Sequence, residues 1–343
     1  MTLQGVLYRA KAPLRISFAG GGTDVSPFVD REGGCVLSAT INRYAHGALR
    51  PRRDRSVKIQ ALDFNISVAY EVDQAPPYDG KLDLAKAAIR RICPDLGSGL
   101  DLYLHADVPP GSGLGSSSTM VVTLVALLKE HLNLPLTEYE IADLAYQIER
   151  VELGIKGGYQ DQYAAAFGGF NFIEFEGGRA TVNPLRIKAD IINELEANLM
   201  LVYAGAPRLS AHIIDDQVAR YERGEQQSVE NLRKIKALTY EMKDALLTGR
   251  LTRFAELLHE EWMAKRMLSP KIATDYLDEI YETARKLGAI GGKLSGAGGG
   301  GFMQLYCPFD RKHRIAERLK EMGCTVSDVA FTQQGVQTWV VRQ

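Results

Sequence analysis

Pro109-Pro110-Gly111-Ser112-Gly113-Leu114-Gly115-Ser116-Ser117-Ser118-Thr119 runs directly into the apolar stretch Met120–Leu132. Upstream lies Asp101–Ala106, whose alternating leucines read as a strand. Strand, glycine-rich turn and helix together present a row of free backbone N–H groups at the helix start. Glycine lets successive N–H groups converge and lets the backbone approach an anion without a Cβ in the way. The helix adds the positive end of its dipole, and serine hydroxyls can donate to phosphate oxygens or bind a hard cation. The residues Pro110, Gly111, Ser112, Gly113, Leu114, Gly115, Ser116, Ser117 and Ser118 are therefore read as a cradle for a polyphosphate. It is not a Walker A loop, because that motif needs a lysine before its final hydroxyl residue and none is present. A flexible linker is the competing reading, but linkers do not join two apolar elements so tightly.

Two further glycine clusters flank this one. Near the start, Arg15-Ile16-Ser17-Phe18-Ala19 alternates like a strand and runs into Gly20-Gly21-Gly22-Thr23-Asp24. Gly21, Gly22 and Thr23 offer backbone against which a ligand can lie, and the Asp24 carboxylate can accept hydrogen bonds from sugar hydroxyls. Near the end, Lys293-Leu294-Ser295-Gly296-Ala297-Gly298-Gly299-Gly300-Gly301 contains a literal GxGxxG. A dinucleotide site would need a helix to follow, whereas Phe302–Tyr306 reads as a strand, so the Rossmann reading fails. The loop is instead expected to pack beside the phosphate cradle, with Gly298 facing substrate. A fourth segment supplies carboxylates: Glu149 near a helix end and Asp161 after the Gly157-Gly158 turn. One can hold Mg²⁺ while the other orients or deprotonates an attacking hydroxyl.

Organisation and composition fit a soluble protein. The chain has 343 residues, enough for two domains, with 41 Lys+Arg against 42 Asp+Glu. That balance gives no electrostatic reason for nucleic acid or an anionic membrane as partner. No apolar run approaches a membrane span, no secretory leader is visible, and four scattered cysteines suggest a reducing, cytoplasmic setting. Helical spacing is expected over Asp83–Ile92 and over Thr137–Glu152, the latter with a Thr137/Glu140 capping box. Beyond Asn183-Pro184 the pattern turns helical, so the domains are placed at 1–185 and 186–343. Irregularly mixed strands and helices indicate an α+β class.

These motifs, taken together and in this order, resemble those of the GHMP kinase superfamily. The resemblance runs from KAPLRISFAGGGTD through PPGSGLGSSST to KLSGAGGGG, and so covers residues 11–301. It implies an N-terminal domain like the second domain of ribosomal protein S5 and a ferredoxin-like C-terminal domain with extra helices. It further implies ATP in the Gly111–Ser118 loop, Mg²⁺ held by Ser117 and Glu149, Asp161 as the catalytic carboxylate and Arg15 as the basic residue that lowers the acceptor hydroxyl's pKa or neutralises transferred charge. Asp24 matches the sugar-binding aspartate of galactokinases. The galactokinase Gly-Glu-His-Thr-Asp pattern is here Gly-Gly-Gly-Thr-Asp, which argues against galactose. The RISFxGGGTD form, with Ala204–Ser210 after a strand, is most similar to the branch that phosphorylates heptose 7-phosphates at the anomeric hydroxyl. A fucokinase-like sugar 1-kinase is the alternative. Arg208 and Ser210 are then the candidates for the substrate's own phosphate. A non-catalytic nucleotide-binding protein on this fold would have no use for Asp161 and Glu149, and an RNA-binding protein would need a basic face. A monomer or homodimer acting on a small sugar or sugar phosphate is the resulting expectation.

Overall fold

Two strands organise the first half: β1 (Val6–Ala19) and the long β2 (Gly34–Pro51), paired antiparallel with β-bulges near Pro13 and Ser17. The computed structural model describes residues 6–205 and 210–342. From Ala12 onward β1 is buried on both faces, because the second half of the chain covers the side that α-helices of the first half do not. Between these strands lies the short α1 (Phe28–Glu32). Next come β3 (Ser56–Ala61), β4 (Ile66–Glu71), α2 (Asp83–Ile92) and β5 (Leu100–Ala106). The central α3 (Ser116–Leu132) follows; it is apolar on nearly every face and is accordingly buried over most of its length against β1 and β2.

Thr137 caps α4 (Glu138–Tyr146) with the expected box, its hydroxyl accepting from the Glu140 amide and the Glu140 carboxylate accepting from the Thr137 amide. The expected single helix does not run on as an α-helix to Glu152. Residues Gln147–Glu152 form a π-helical turn, a feature common at functional sites. Then come α5 (Gln160–Phe167) and the hairpin β6 (Phe170–Glu176) and β7 (Arg179–Pro184). β6 pairs with the first part of β2 and β5 with the last part, so β2 joins two wings of one eight-stranded sheet.

The second half begins with α6 (Ala189–Asn198) and β8 (Leu199–Tyr203). Helices α7 (Ser210–Glu222), α8 (Gln226–Leu247), α9 (Leu251–Lys265) and α10 (Asp275–Lys286) follow. Last come β9 (Gly291–Leu294), β10 (Phe302–Tyr306), α11 (Phe309–Glu321), β11 (Thr325–Asp328) and β12 (Gln337–Arg342). Strands β11, β8, β10 and β9 form a four-stranded antiparallel sheet. β12 does not stay with it: it pairs with β1, from Lys11↔Gln337 to Val6↔Arg342, and so returns to the first sheet. An apolar core including Leu14, Ile16, Phe18, Leu201, Phe254 and Leu258 joins the halves, with Phe18 packed edge-on to Phe254.

Candidate active site

The cradle loop lies where the halves meet. Gly111, Gly113 and Gly115 alternate at positive φ (73°, 84° and 76°), which coils the loop as it enters α3. The third glycine cluster packs on this coil, as expected. A Cβ on Gly113 would sit 2.4 Å from the Ser295 carbonyl oxygen, and the Phe302 amide donates to the Ser112 carbonyl at 2.9 Å. Backbone therefore touches backbone, and side chains on these glycines would drive the two halves apart.

The loop residues divide into two kinds. Gly111, Gly113, Gly115, Ser116, Ser117 and Ser118 line the cleft. Leu114 is buried in the core shared by the two halves and contributes its backbone, with its carbonyl accepting from the Arg15 amide at 3.2 Å. Ser112 is buried and outside the cleft lining, whereas Pro110 lines a neighbouring cavity.

Asp161 and Arg15 meet at this loop. Asp161 Oδ1 accepts from Arg15 Nε at 2.8 Å, with Nη2 at 2.5 Å, and Arg15 Nη1 donates to the Gly113 carbonyl at 2.7 Å. Arg15 is fixed by burial, while Asp161 is partly exposed to the cleft. The other oxygen, Asp161 Oδ2, lies 3.3 Å from where a Gly115 Cβ would stand. That carboxylate oxygen thus faces the first turn of α3, where the tail of a polyphosphate would end.

Glu149, on the π-helical turn, is fully buried. Its Oε2 accepts from Gln162 Nε2 at 2.7 Å; its Oε1 lies 3.3 Å from Arg150 Nη1 but receives no aligned hydrogen bond. A carboxyl oxygen without an aligned donor, on a residue that lines the same cleft as the partly exposed Ser117, suits a hard cation. Ser118 Oγ, by contrast, is taken up by Arg150 and Gln162.

On the sugar side the outcome is mixed. Gly21, Gly22 and Asp24 line the cleft. Both Asp24 oxygens are engaged: Oδ1 accepts from the Gly22 amide at 3.0 Å, and Oδ2 from the Gln160 amide and side chain at 3.1 and 3.2 Å. Burial raises the Asp24 pKa, and the charge of Asp161 adds to the rise, against these hydrogen bonds. Thr23 is not a ligand-facing residue. Its hydroxyl donates toward the Gly20 and Cys35 carbonyls and accepts from the Cys35 amide, stapling the turn to β2. Gly298 also misses the cleft: at φ 113° it packs on Ile272, and Gly296 and Ala297 line the cleft instead. Arg208 lies outside the described residues, as does the Ser210 side chain.

Sequence reasoning missed three contributors. Gln160 holds Asp24. Arg150 bridges Glu149 and Ser118. Lys265, at the end of α9, reaches the cleft and donates to the Gly296 carbonyl at 2.6 Å. Burial, with Lys293 and Arg15 adding to it, pulls the Lys265 pKa down to about 7. Behind it Lys293 and Glu261 form a fully buried pair at 2.7 Å. Also missed was an apolar cavity of about 690 Å³ next to the loop, lined by Phe64, Leu82, Met120 and Leu153 and sharing Ser116 and Ser117 with the cleft.

Comparison with known proteins shows the family. Residues 83–169 match the family model for the GHMP kinases N terminal domain, and residues 242–323 match that for the GHMP kinases C terminal. The chain is 42% identical over 335 residues to D-glycero-alpha-D-manno-heptose 7-phosphate kinase of Campylobacter jejuni, covering 96% of this chain and 98% of that one. The chain is a GHMP kinase. Two solved structures extend the likeness. A D-glycero-D-manno-heptose 1-phosphate kinase from Bacteriodes thetaiotaomicron superposes with a TM-score of 0.82 at 36% identity, covering 97% of this chain and 98% of that one. A putative sugar kinase from Campylobacter jejuni gives 0.79 at 40%, covering 98% of both. As a member of this family the chain is a phosphotransferase with an alcohol acceptor, built on the two-domain GHMP fold. Among the described residues no helix is long and apolar enough to cross a membrane.

Proposed function

We propose that this kinase transfers the γ-phosphoryl group of ATP to the anomeric hydroxyl of D-glycero-D-manno-heptose 7-phosphate, giving the 1,7-bisphosphate and ADP. The observation that carries the reading is the placement of Asp161 Oδ2 against the first turn of α3, with Oδ1 held by Arg15. The substrate class rests on the likeness to the Campylobacter jejuni heptose 7-phosphate kinase.

Each residue then has a task. Amides of the Gly111–Ser118 loop and the α3 dipole hold the triphosphate, and the apolar cavity beside Met120 takes the adenine. Glu149 Oε1 and the Ser117 hydroxyl would hold Mg²⁺, which when bound neutralises charge on the phosphates. Asp161 Oδ2 accepts the acceptor's O–H, lines its oxygen up with the terminal phosphorus and takes its proton as the new bond forms. Arg15 keeps the Asp161 carboxylate aimed and offsets charge beside the acceptor. Gly21, Gly22 and Asp24 line the sugar side, and Arg208 with Ser210 is assigned the 7-phosphate. We place the ATP-binding domain at 1–185 and its partner at 186–343, in a cytoplasmic monomer or homodimer.

The test is a coupled ADP-release assay over hexoses, heptoses and their 7-phosphates, with NMR of the product. A new phosphorus coupling at C1 of the heptose is expected. Phosphate at another carbon, or turnover confined to unphosphorylated sugars, would overturn the substrate assignment.

A further inference from the structure

Gly21 lies outside the left-handed region, so its backbone does not require glycine. What its missing side chain leaves is space with polar walls. A Cβ there would stand 3.4 Å from Lys265 Nζ, 3.7 Å from Gln160 Nε2 and 3.8 Å from Ser17 Oγ. Three side chains from β1, α5 and α9 thus converge on one point, and each is more than nine-tenths buried. Ser17 Oγ has no hydrogen-bond partner among the described residues. Lys265 forms no ion pair among the described residues and has a single hydrogen bond, to a carbonyl. A buried lysine amine and a buried hydroxyl left short of partners are costly, and a ligand in the cleft that Lys265 lines would supply them.

The charges around the space select the ligand. Lys293 and Arg15 on one hand and Glu261 and Asp24 on the other act on Lys265, and Asp161 acts on Asp24, so cations and carboxylates around the space offset one another. A phosphate dianion would unbalance these offset charges, whereas a neutral hydroxyl can accept from the lysine amine and donate elsewhere. Gly21, Gln160 and Lys265 line the same cleft as Asp161, and Arg15, which holds Asp161, acts electrostatically on Lys265, so a hydroxyl seated here lies close to the reacting one.

We propose that Ser17, Gln160 and Lys265 form, around Gly21, a specificity subsite for the hydroxyl adjacent to the acceptor hydroxyl, with Lys265 Nζ donating to it. This rests on the sugar 1-kinase reading above, under which that hydroxyl is the one on C2. Lys265 reads the sugar and does not take part in the proton transfer.

The experiment compares the heptose 7-phosphate with its 2-deoxy analogue in wild-type enzyme, Lys265→Met and Gly21→Ala. Methionine keeps an apolar stem while removing the donor. For the parent sugar, Lys265→Met lowers kcat/KM by roughly 10- to 100-fold, the range for a hydrogen bond from a charged group. KM for ATP stays within about twofold of the wild type, an uncertainty far below one tenfold step of 1.4 kcal/mol. For the 2-deoxy analogue the two enzymes become alike. Gly21→Ala, whose methyl fills the space in ordinary contact with its walls, raises KM for the parent sugar and leaves KM for ATP alone. Equal loss on both sugars in Lys265→Met, or no loss on either, overturns the proposal. If the wild-type enzyme turns over no heptose 7-phosphate, the substrate reading fails by itself. The same comparison is then made with the sugar that does react and its analogue lacking the neighbouring hydroxyl.

Discussion

Replacing Asp161 by asparagine keeps the shape of the side chain and removes the group on which the chemistry depends. Loss of acid–base help lowers kcat by roughly 10²–10⁴, equal to about 3–5 kcal/mol of barrier. The same substitution leaves Arg15 without its counter-ion. Arg15 keeps its contact with the Gly113 carbonyl and can still donate to the asparagine oxygen, so the loss is of charge assistance, about 1.5–3 kcal/mol of stability at most. A domain of ordinary stability, roughly 5–15 kcal/mol, stays almost fully folded after such a loss, so unfolding cannot mimic the fall in kcat. The assay is steady-state ADP release at saturating ATP and sugar, beside a titration of ATP binding and a thermal melt. The reasoning requires low kcat, near-normal ATP affinity and a modest drop in Tm. A kcat within threefold of the wild type would refute it, as would a variant whose ATP affinity falls in step with its turnover.

Three other outcomes follow from the same structure. Glu149→Gln should raise the Mg²⁺ concentration for half-maximal rate by about tenfold or more, a loss of at least about 1.4 kcal/mol, and an unchanged Mg²⁺ curve would remove Glu149 from the cation site. Met120→Trp puts bulk into the apolar cavity, so KM for ATP should rise at least about tenfold while KM for sugar holds; the reverse pattern would place the adenine elsewhere. Lys265 releases its proton near 7 when folded and near 10.5 when unfolded, so between those values the unfolded chain binds more protons. Its contribution to stability is therefore complete above about 10.5 and is lost as pH falls toward 7. Denaturant titrations of wild type and Lys265→Met should diverge with pH across that window by at most about 1.4 kcal/mol per unit. Parallel curves would contradict the depressed pKa.

Where the sequence was legible, the signal was local. The Gly111–Ser118 coil could be read because alternate positive φ angles demand glycine at alternate positions. The α4 start could be read because its cap is made by residues three apart. Thr23 was misread because a hydroxyl beside glycines looks the same whether it faces a ligand or its own sheet; the deciding partner, Cys35, comes from another strand. Gly298 was misread for a similar reason: its left-handed turn serves contact with Ile272. The return of β12 to β1 joins the ends of the chain, and strand alternation carries no information about a partner so distant. Lys265 sits on an amphipathic helix where a lysine after Trp262 looks like any surface residue, and only the approach of β1 and the third glycine loop turns it inward.

A crystal of the enzyme with a nonhydrolysable ATP analogue and magnesium puts the whole account at risk at once. The triphosphate should lie on the amides that precede and open α3, its last phosphorus facing Asp161 Oδ2, with the metal between Ser117 and Glu149. A triphosphate bound away from that loop, or an Asp161 carboxylate turned from it, would contradict the account.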